Sequence, residues 1–422
     1  MRSPARTPRS TGARVGAVAV AMILVAELAV WALGPGGSAW DPVAVAESSY
    51  FEPEELERAR DYRDGQRWLL LAGMALELAA LAALALGRPA AFRRALERLG
   101  RRPLLGAAVA GAAIAIVLEL AGLPTSLAAH ERAVDAGLSS QSLGPWLWDL
   151  ARSAAIGALL TALAAALLIA LVRRFPRRWW LPGAAAVAVL AAVFVWIAPV
   201  VLSPIFNDYE SLAPGSRARA DVVELGKRAG VDVGEVLSVD ASRRVTSLNA
   251  YVDGLGSTKR VVLYDNLLAG AERAELNSVV AHELGHVAHD DLPRGLLYIA
   301  LVAPLGLLFT RELGIELARR TGADPASPAA LPAYLLALSL AALALNVPGN
   351  QLSRQVEASA DAFALELTDD PQGLVDLQLR LARSNLSDPD PPAIAAALLS
   401  THPSTTERIG AALAYQRQSA DD

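Results

Sequence analysis

Apolar runs long enough to cross a bilayer recur along this chain, separated by short polar segments. A helix needs about 20 mostly apolar residues to span the hydrocarbon core. The runs that reach or approach this length are 15–33, 68–86, 104–123, 153–172, 181–202, 295–309 and 331–347. They predict a mainly α, polytopic membrane protein with about seven transmembrane helices. Because the last two runs are short, a buried core helix is the alternative for each of them.

The first five spans predict an N-terminal membrane domain, residues 1–206. No clear small-residue cleavage site follows the first run, which favours a retained span over a signal peptide. The second predicted domain, residues 207–422, carries the last two spans at about 295–310 and 331–347. Pro348 and Gly349 are expected to break the helix after the last span.

Outside these spans, the second domain shows both helical and β patterns. Residues 235–239 predict a strand, and the runs 244–252 and 260–264 predict a hairpin around the turn at 253–257. Amphipathic segments predict several helices, namely 216–230, 272–290, 353–367, 374–383 and 407–415. The extramembrane part is therefore expected to be a small α+β domain.

The composition of the chain limits which partners and which metal ligands are possible. The chain is 54% hydrophobic, as expected for a membrane protein, and its net charge of −5 argues against a nucleic-acid partner. The chain has no cysteine, which excludes disulfides, thiolate zinc sites and a cysteine nucleophile. Any metal must therefore be held by histidines and carboxylates.

Positive charge is distributed unevenly between the loops. Arginines cluster in residues 2–14, 88–102 and 173–178, whereas the loop 124–152 has only Arg132 and Arg152. The positive-inside rule places the clusters in the cytoplasm, and five spans then place the second domain outside. Three further ionisable residues, Glu27, Glu77 and Glu119, lie within predicted spans. They either join helices as protonated carboxyls or line a hydrated chamber.

The pattern His282-Glu283-Leu284-Gly285-His286 lies on the predicted helix 272–290. Residues four apart share one helix face, so both imidazoles can reach one metal ion while Glu283 contacts a water molecule. This is the zinc-peptidase pattern of two histidine ligands with a carboxylate as general base. The alternative is a chance match on a surface helix.

A catalytic zinc site needs a third protein ligand. The metzincin pattern requires His at position 292, where this chain has Leu292, and that family is excluded. Glu357 and Asp361 are four apart on the predicted helix 353–367, among small and apolar neighbours. One of them can bind the metal while the other accepts the N–H of a ligating histidine. The alternative is a solvated acidic face.

Four segments together resemble the type I CAAX prenyl endopeptidases, a family of integral-membrane gluzincins. They are the motif 282–286, Glu357–Phe363, Thr401-His402-Pro403 with Glu407-Arg408, and Asn249-Ala250-Tyr251. Five spans before the motif and two after it match that family's layout as well, and the resemblance implies a zincin-like metallopeptidase domain outside the membrane.

The resemblance implies a role for each of these residues. One zinc ion would be bound by His282, His286 and Glu357, with Glu283 as the base and Asp361 supporting a ligand. His402 and Arg408 would assist at the substrate carbonyl, and Asn249, Ala250 and Tyr251 would lie on the strand that pairs with a peptide substrate. The resemblance favours a cytoplasmic catalytic domain, whereas the arginine distribution favours the opposite side.

Two rival functions are compatible with parts of the sequence. An intramembrane protease would place the motif inside an apolar span, but charged residues flank it here. A transporter or scaffold with a structural metal site would instead use the intramembrane glutamates. The remaining polar residues receive no role: His130 is expected in a loop without a partner, and His289, Asp290 and Asp291 are expected as polar groups at a helix end.

Overall fold

The computed structural model describes residues 8–36, 40–87, 90–254 and 259–421. Among these residues, seven helices are long and apolar enough to cross a membrane, five before the motif and two after it. This confirms the prediction of a mainly α, polytopic fold. Arg2, Arg6, Arg88 and most of the predicted turn at 253–257 lie outside the described residues.

The helices and strands, numbered in chain order, have the following bounds. The helices before the sheet are α1 (Pro8–Leu33), α2 (Pro53–Ala82), α3 (Ala90–Leu99), α4 (Pro103–Asp135), α5 (Leu143–Arg174), α6 (Trp180–Ile197) and α7 (Ser203–Phe206). The strands are β1 (Tyr209–Ser211), β2 (Glu235–Val239), β3 (Ala250–Asp253) and β4 (Arg260–Tyr264), with α8 (Arg217–Arg228) between β1 and β2. The helices after the sheet are α9 (Asp265–Gly270), α10 (Arg273–Ala288), α11 (Asp291–Arg320), α12 (Leu331–Thr368), α13 (Pro371–Ser384), α14 (Ala393–Leu399) and α15 (Thr405–Asp421).

The membrane helices expose apolar side chains over most of their length. In the spanning window of α6 none of the side chains is buried against protein, and in that of α12 44% are. Large apolar side chains such as Trp31 and Trp196 are exposed in these segments. Such extensive apolar exposure is expected only where lipid covers the surface. Within the bundle, helices approach closely at small residues: a Cβ on Gly111 of α4 would lie 2.7 Å from the Cβ of Ala165 on α5.

The last two spans differ from their predicted bounds because both helices continue beyond the apolar run. The first is the 30-residue α11, and the second is the 38-residue α12, which continues through Pro348. The predicted break at Pro348 is therefore wrong. A proline removes one backbone donor, and groups on neighbouring helices can compensate. The Tyr298 hydroxyl of α11 donates to the Leu345 carbonyl of α12 at 3.4 Å, so the two helices are joined close to the proline.

The extramembrane sheet has four strands in the order β1-β2-β4-β3. β2 and β4 are parallel, and the two edge strands run antiparallel to their neighbours. β3 and β4 confirm the predicted antiparallel pair, but β3 is shorter than the run 244–252. The loop between α4 and α5 instead holds the first part of that run, since the Ser140 amide donates to the Arg244 carbonyl at 3.1 Å. β1 was not predicted.

Helix α10 lies between the sheet and α12, at the centre of the extramembrane core. Its side chains Leu276, Val280 and Leu284 pack in one cluster with Leu263 of β4 and Leu374 of α13. A helix that is apolar on most of its faces is normally buried. The core therefore fixes α10 on several sides, and with it the motif.

Candidate metal centre

Helix α10 presents the motif residues from a rigid, well-capped segment. A capping box joins Glu272 and Glu275 at its N-terminus, where the Glu272 amide donates to Glu275 at 2.7 Å. The Arg380 side chain of α13 also donates to Glu275, at 2.7 Å. These contacts satisfy orphan amides of the first turn and anchor the helix to α13. α10 is not among the membrane-spanning candidates, which contradicts the intramembrane-protease alternative.

Gly285 allows α10 and α12 to pack closely at the motif. A Cβ at this position would lie 3.3 Å from the Ala360 Cα and 3.2 Å from the Phe363 ring. Any larger residue would push the two helices apart. Since α10 carries the histidines and α12 carries Glu357, this glycine sets the distance between the two parts of the site.

The structure brings His282, His286 and Glu357 together. One potential ligand atom from each lies within 4.8 Å of the other two. The Nε2 atoms of the histidines lie 3.1 Å and 3.7 Å from the two oxygens of Glu357. Two imidazoles and one carboxylate form a donor set that suits catalytic zinc and leaves a position for water. The residues present therefore fit a single zinc ion.

Asp361 and Arg408 hold the first histidine. Asp361 lies 2.9 Å from Nδ1 of His282, and Arg408 donates two hydrogen bonds to the Asp361 carboxylate, at 2.5 Å and 2.7 Å. The Asp361 side chain is only 3% exposed. Burial alone would lower the pKa of His282, but hydrogen bonds to Asp361 and Glu357 outweigh it and raise the pKa to about 10. Arg408 therefore contacts the predicted supporting carboxylate.

Asp291 contacts the second histidine, and this contact was not predicted from the sequence. Its carboxylate lies 2.9 Å from Nδ1 of His286, and Arg294 donates to the same carboxylate at 2.7 Å. The residue was predicted only as a polar group at a helix end. An acid five positions after a histidine does not share its face on a continuous helix, but α10 ends at Ala288. Pro293 was the available signal that a new helix begins here.

Glu283 faces a cavity of about 300 Å³. Asn249 and His402 line the same cavity, together with Leu377 and Leu381 of α13. Burial raises the pKa of Glu283, and the nearby Glu357 carboxylate adds to this effect. A higher pKa makes a carboxylate a better acceptor for the proton of a water molecule.

His402 lies on the open side of the site. Its Nε2 is 3.3 Å from a Glu357 oxygen, and its side chain is 55% exposed. Arg354 of α12 donates to the carbonyls of Ala396 and Ser400, at 3.1 Å and 2.8 Å. It thereby holds the end of α14, two residues before His402. This contact was also not predicted.

The predicted substrate residues lie at a free sheet edge. Asn249 is exposed at the start of β3, whereas the Ala250 side chain is buried and has only its main chain available. The Tyr251 hydroxyl lies 3.0 Å from that of Tyr209 on β1. Burial and this hydroxyl pair raise the pKa of Tyr251, so it stays neutral at physiological pH.

The other histidines and the intramembrane glutamates are not among the candidate metal ligands. His130 is buried within α4 and stacks on Trp146 with ring centroids 4.7 Å apart, so its prediction as a loop residue without a partner is wrong. His289 ends α10, and its Nδ1 lies 3.2 Å from the Ser359 hydroxyl. Glu77 and Glu119 line one cavity of about 250 Å³ between membrane helices.

Comparisons with protein families match nearly the whole chain. Residues 217–416 match the family model for peptidase family M48, and residues 41–208 match the model for the CAAX prenyl protease N-terminal, five membrane helices. Both parts of the predicted resemblance are thereby confirmed, and they favour an enzyme over a transporter or scaffold.

Individual proteins show the same similarity. An uncharacterized metalloprotease of Bacillus subtilis, YhfN, is 26% identical over 94% of this chain and 95% of its own length. A probable CAAX prenyl protease 1 of Schizosaccharomyces pombe is 26% identical over 65% of this chain and 58% of its own length. The crystal structure of S. mikatae Ste24p has the same fold, with a TM-score of 0.77 at 18% identity, covering 97% of this chain and 100% of that one.

Proposed function

Because this chain belongs to the membrane metallopeptidases of family M48, we propose that it is a zinc endopeptidase in which Glu283 is the general base. The observation that carries the proposal is the convergence of His282, His286 and Glu357, whose ligand atoms lie within 4.8 Å of one another beside Glu283. The two histidines are fixed by acidic partners on their other nitrogens. Such a preorganised donor set is costly to build without a metal to bind.

A zinc ion at this site would lower the pKa of a water molecule and polarise the scissile carbonyl. Glu283 accepts a proton from the attacking water and delivers it to the leaving amine nitrogen. His402 donates a hydrogen bond to the carbonyl oxygen as negative charge develops on it, and its exposure leaves it free to reach a substrate. Arg408 holds Asp361 and reinforces the positive potential around the same oxygen.

The peptide is held in an extended conformation along β3. The Tyr264 amide donates to the Asn249 carbonyl, so this residue pair is hydrogen-bonded in the sheet. Along an antiparallel strand, residues whose main-chain groups bond to the neighbouring strand alternate with residues whose main-chain groups point away from it. The main-chain groups of Ala250 and Val252 therefore point away from β4, toward the free edge of the sheet. An added strand can pair with these groups while its side chains occupy the cavity beside Glu283.

The test compares wild-type protein with Glu283→Gln in detergent. Wild type is expected to contain one zinc per chain and to cleave peptides. Glu283→Gln is expected to keep the zinc and to lose about 10²–10⁴-fold in kcat, the range typical of general acid–base catalysis. Glu366→Gln on the exposed face of α12 is the matched control. Undiminished cleavage by Glu283→Gln would rule the proposal out, and a proteomic comparison of the two forms identifies natural substrates.

We also propose that the catalytic domain lies outside the cytoplasm. The Arg173 side chain donates to the Ala326 carbonyl at 3.4 Å, and α3 packs on the turn before α12, so two arginine-rich segments share one end of the bundle. The second domain contacts the opposite end of the bundle, where Ser139, in the loop between α4 and α5, forms an antiparallel β-bridge with Val245. The positive-inside rule assigns the arginine-rich end to the cytoplasm. Protease cleavage of segment 203–290 in intact cells supports this orientation, and protection in intact cells contradicts it.

A further inference from the structure

The second histidine of the motif is held by a residue from a membrane helix. Asp291 is the first residue of α11, and its side chain is only 7% exposed. One carboxylate oxygen lies 2.9 Å from Nδ1 of His286, and the other accepts from Arg294 at 2.7 Å. Both oxygens of the carboxylate are therefore engaged, so its orientation toward the imidazole is fixed from two sides.

This arrangement repeats the one on the first histidine. There, Asp361 contacts Nδ1 of His282 and is itself held by Arg408. In both cases an arginine orients an aspartate, and the aspartate occupies Nδ1 of the ring. In the neutral imidazole that binds a metal, Nδ1 then carries the proton, and the electron pair of Nε2 is left for the metal. The Nε2 atoms of both rings indeed point toward Glu357.

The backbone brings Asp291 into this position by a sharp turn. α10 ends at Ala288, and Asp290 adopts a left-handed conformation with φ of 54°. Asp and Asn are the side chains that tolerate this conformation best apart from glycine. Asp290 interrupts the helical path between α10 and α11, and the first side chain of α11 contacts the second histidine of the motif.

We infer that Asp291 is a positioning residue for His286, which ties the affinity of the zinc site to the first turn of membrane helix α11. This inference rests on the proposed zinc site. A carboxylate on Nδ1 makes the imidazole a stronger ligand and restricts its rotation. Displacement of the first turn of α11 would withdraw the carboxylate, and His286 would then lose both effects.

A purely structural role makes a different prediction. An acid at a helix N-terminus stabilises the helix through the helix dipole, and this effect does not require the histidine. If that were its whole role, replacing Asp291 would lower the thermal stability of the zinc-free protein and leave the zinc affinity of the folded protein unchanged. Zinc affinity and zinc-free stability therefore separate the two roles.

The experiment measures zinc affinity of the full-length protein in detergent, by competition with a chromophoric chelator. Asp291→Asn keeps the size of the side chain but removes its charge, and is expected to raise the Kd for zinc about 10–100-fold, the usual effect of losing such a partner. Asp290→Asn is the matched control. It removes the same charge one residue earlier, at an exposed position where Asn also fits, and is expected to leave the Kd within twofold.

A second variant tests the same inference without altering the aspartate. Arg294→Gln releases one carboxylate oxygen and is expected to raise the Kd by a smaller factor than Asp291→Asn. A wild-type Kd in folded Asp291→Asn would overturn the inference while leaving the proposed zinc site intact. If wild-type protein binds no zinc, the proposed function itself fails, and the inference fails with it.

Discussion

The two sides of the candidate metal centre are built from different kinds of structure. On the ligand side, His282 and Asp361 have side chains only 7% and 3% exposed, on two long helices packed around Gly285. On the substrate side, His402 is 55% exposed on a loop, and Asn249 is exposed at the edge of the sheet. The ligand side has little freedom to move, whereas the substrate side can adapt to what binds.

This difference separates metal binding from substrate handling. Changes on the ligand side should alter zinc content, and activity only as a consequence. Changes on the substrate side should alter kcat or KM while the zinc stays bound. The four predictions below test that separation, beginning with the largest effect.

Glu357→Gln should abolish zinc binding. The substitution removes the carboxylate toward which both histidine Nε2 atoms point, at 3.1 Å and 3.7 Å. Two imidazoles alone are a poor site for catalytic zinc, which normally has three protein ligands. Metal analysis should fall from one zinc per chain to background, and cleavage should be lost with it. Glu366→Gln, nine positions later on the same helix, should keep both.

His402→Ala should slow cleavage without releasing zinc. Loss of a hydrogen-bond donor to a developing oxyanion typically costs about 10²–10³-fold in kcat. Because the side chain is largely exposed, little stability depends on it. Steady-state kinetics and metal analysis of the same sample check both expectations. Loss of zinc from this variant would place His402 on the ligand side and break the proposed separation.

Zinc affinity should increase with pH. In the zinc-free protein the pKa of His282 is raised to about 10, so at neutral pH zinc must displace a proton. The apparent Kd should therefore fall about tenfold for each pH unit between 7 and 9 from this proton alone. The folded zinc-free state holds the proton more tightly than the unfolded state. The contribution of His282 to the stability of the zinc-free protein should accordingly be fully present below 6.5, the ordinary pKa of histidine, and decline as pH rises towards about 10.

Melting temperatures at pH 7 and pH 9.5 check this second expectation. Zinc-free protein in a chelator should have a lower melting temperature at pH 9.5 than at pH 7. Zinc-loaded protein should not show this fall, because zinc has already displaced the extra proton from His282. A melting temperature that rises with pH in the chelator would contradict the assignment. Asp361→Asn removes the carboxylate that contacts Nδ1, and should flatten the pH dependence.

Val252→Pro should weaken substrate binding modestly. It removes an outward-facing amide of β3 and no hydrogen bond of the sheet itself. One hydrogen bond is typically worth about 0.5–1.5 kcal/mol, so KM for an extended peptide should rise roughly 2–10-fold with zinc unchanged. Ser211→Pro on β1 makes the equivalent change at the opposite edge and should leave KM unaltered. Equal effects of the two variants would argue against an added strand at β3.

Periodicity and spacing along the chain were sufficient to predict the seven apolar spans and most of the residues that meet at the candidate site. The seven spans follow from apolar length alone, because lipid requires a continuous hydrophobic helix. The motif histidines and the pair Glu357 and Asp361 were identifiable because helical spacing places residues four apart on one face. The break expected at Pro348 was wrong, since α12 continues through it and prolines are tolerated within helices that pack in a membrane bundle.

The sequence by itself therefore determined the chemistry available to this protein: two histidines, a base, two further acids and no thiolate ligand. Only the tertiary structure decided which acid supports which histidine. Asp361 reaches His282 from another helix, and Asp291 reaches His286 across the turn at the left-handed residue Asp290. Local spacing encodes which face of a helix a residue occupies, whereas contacts across a turn or between helices depend on packing that no short stretch of sequence specifies.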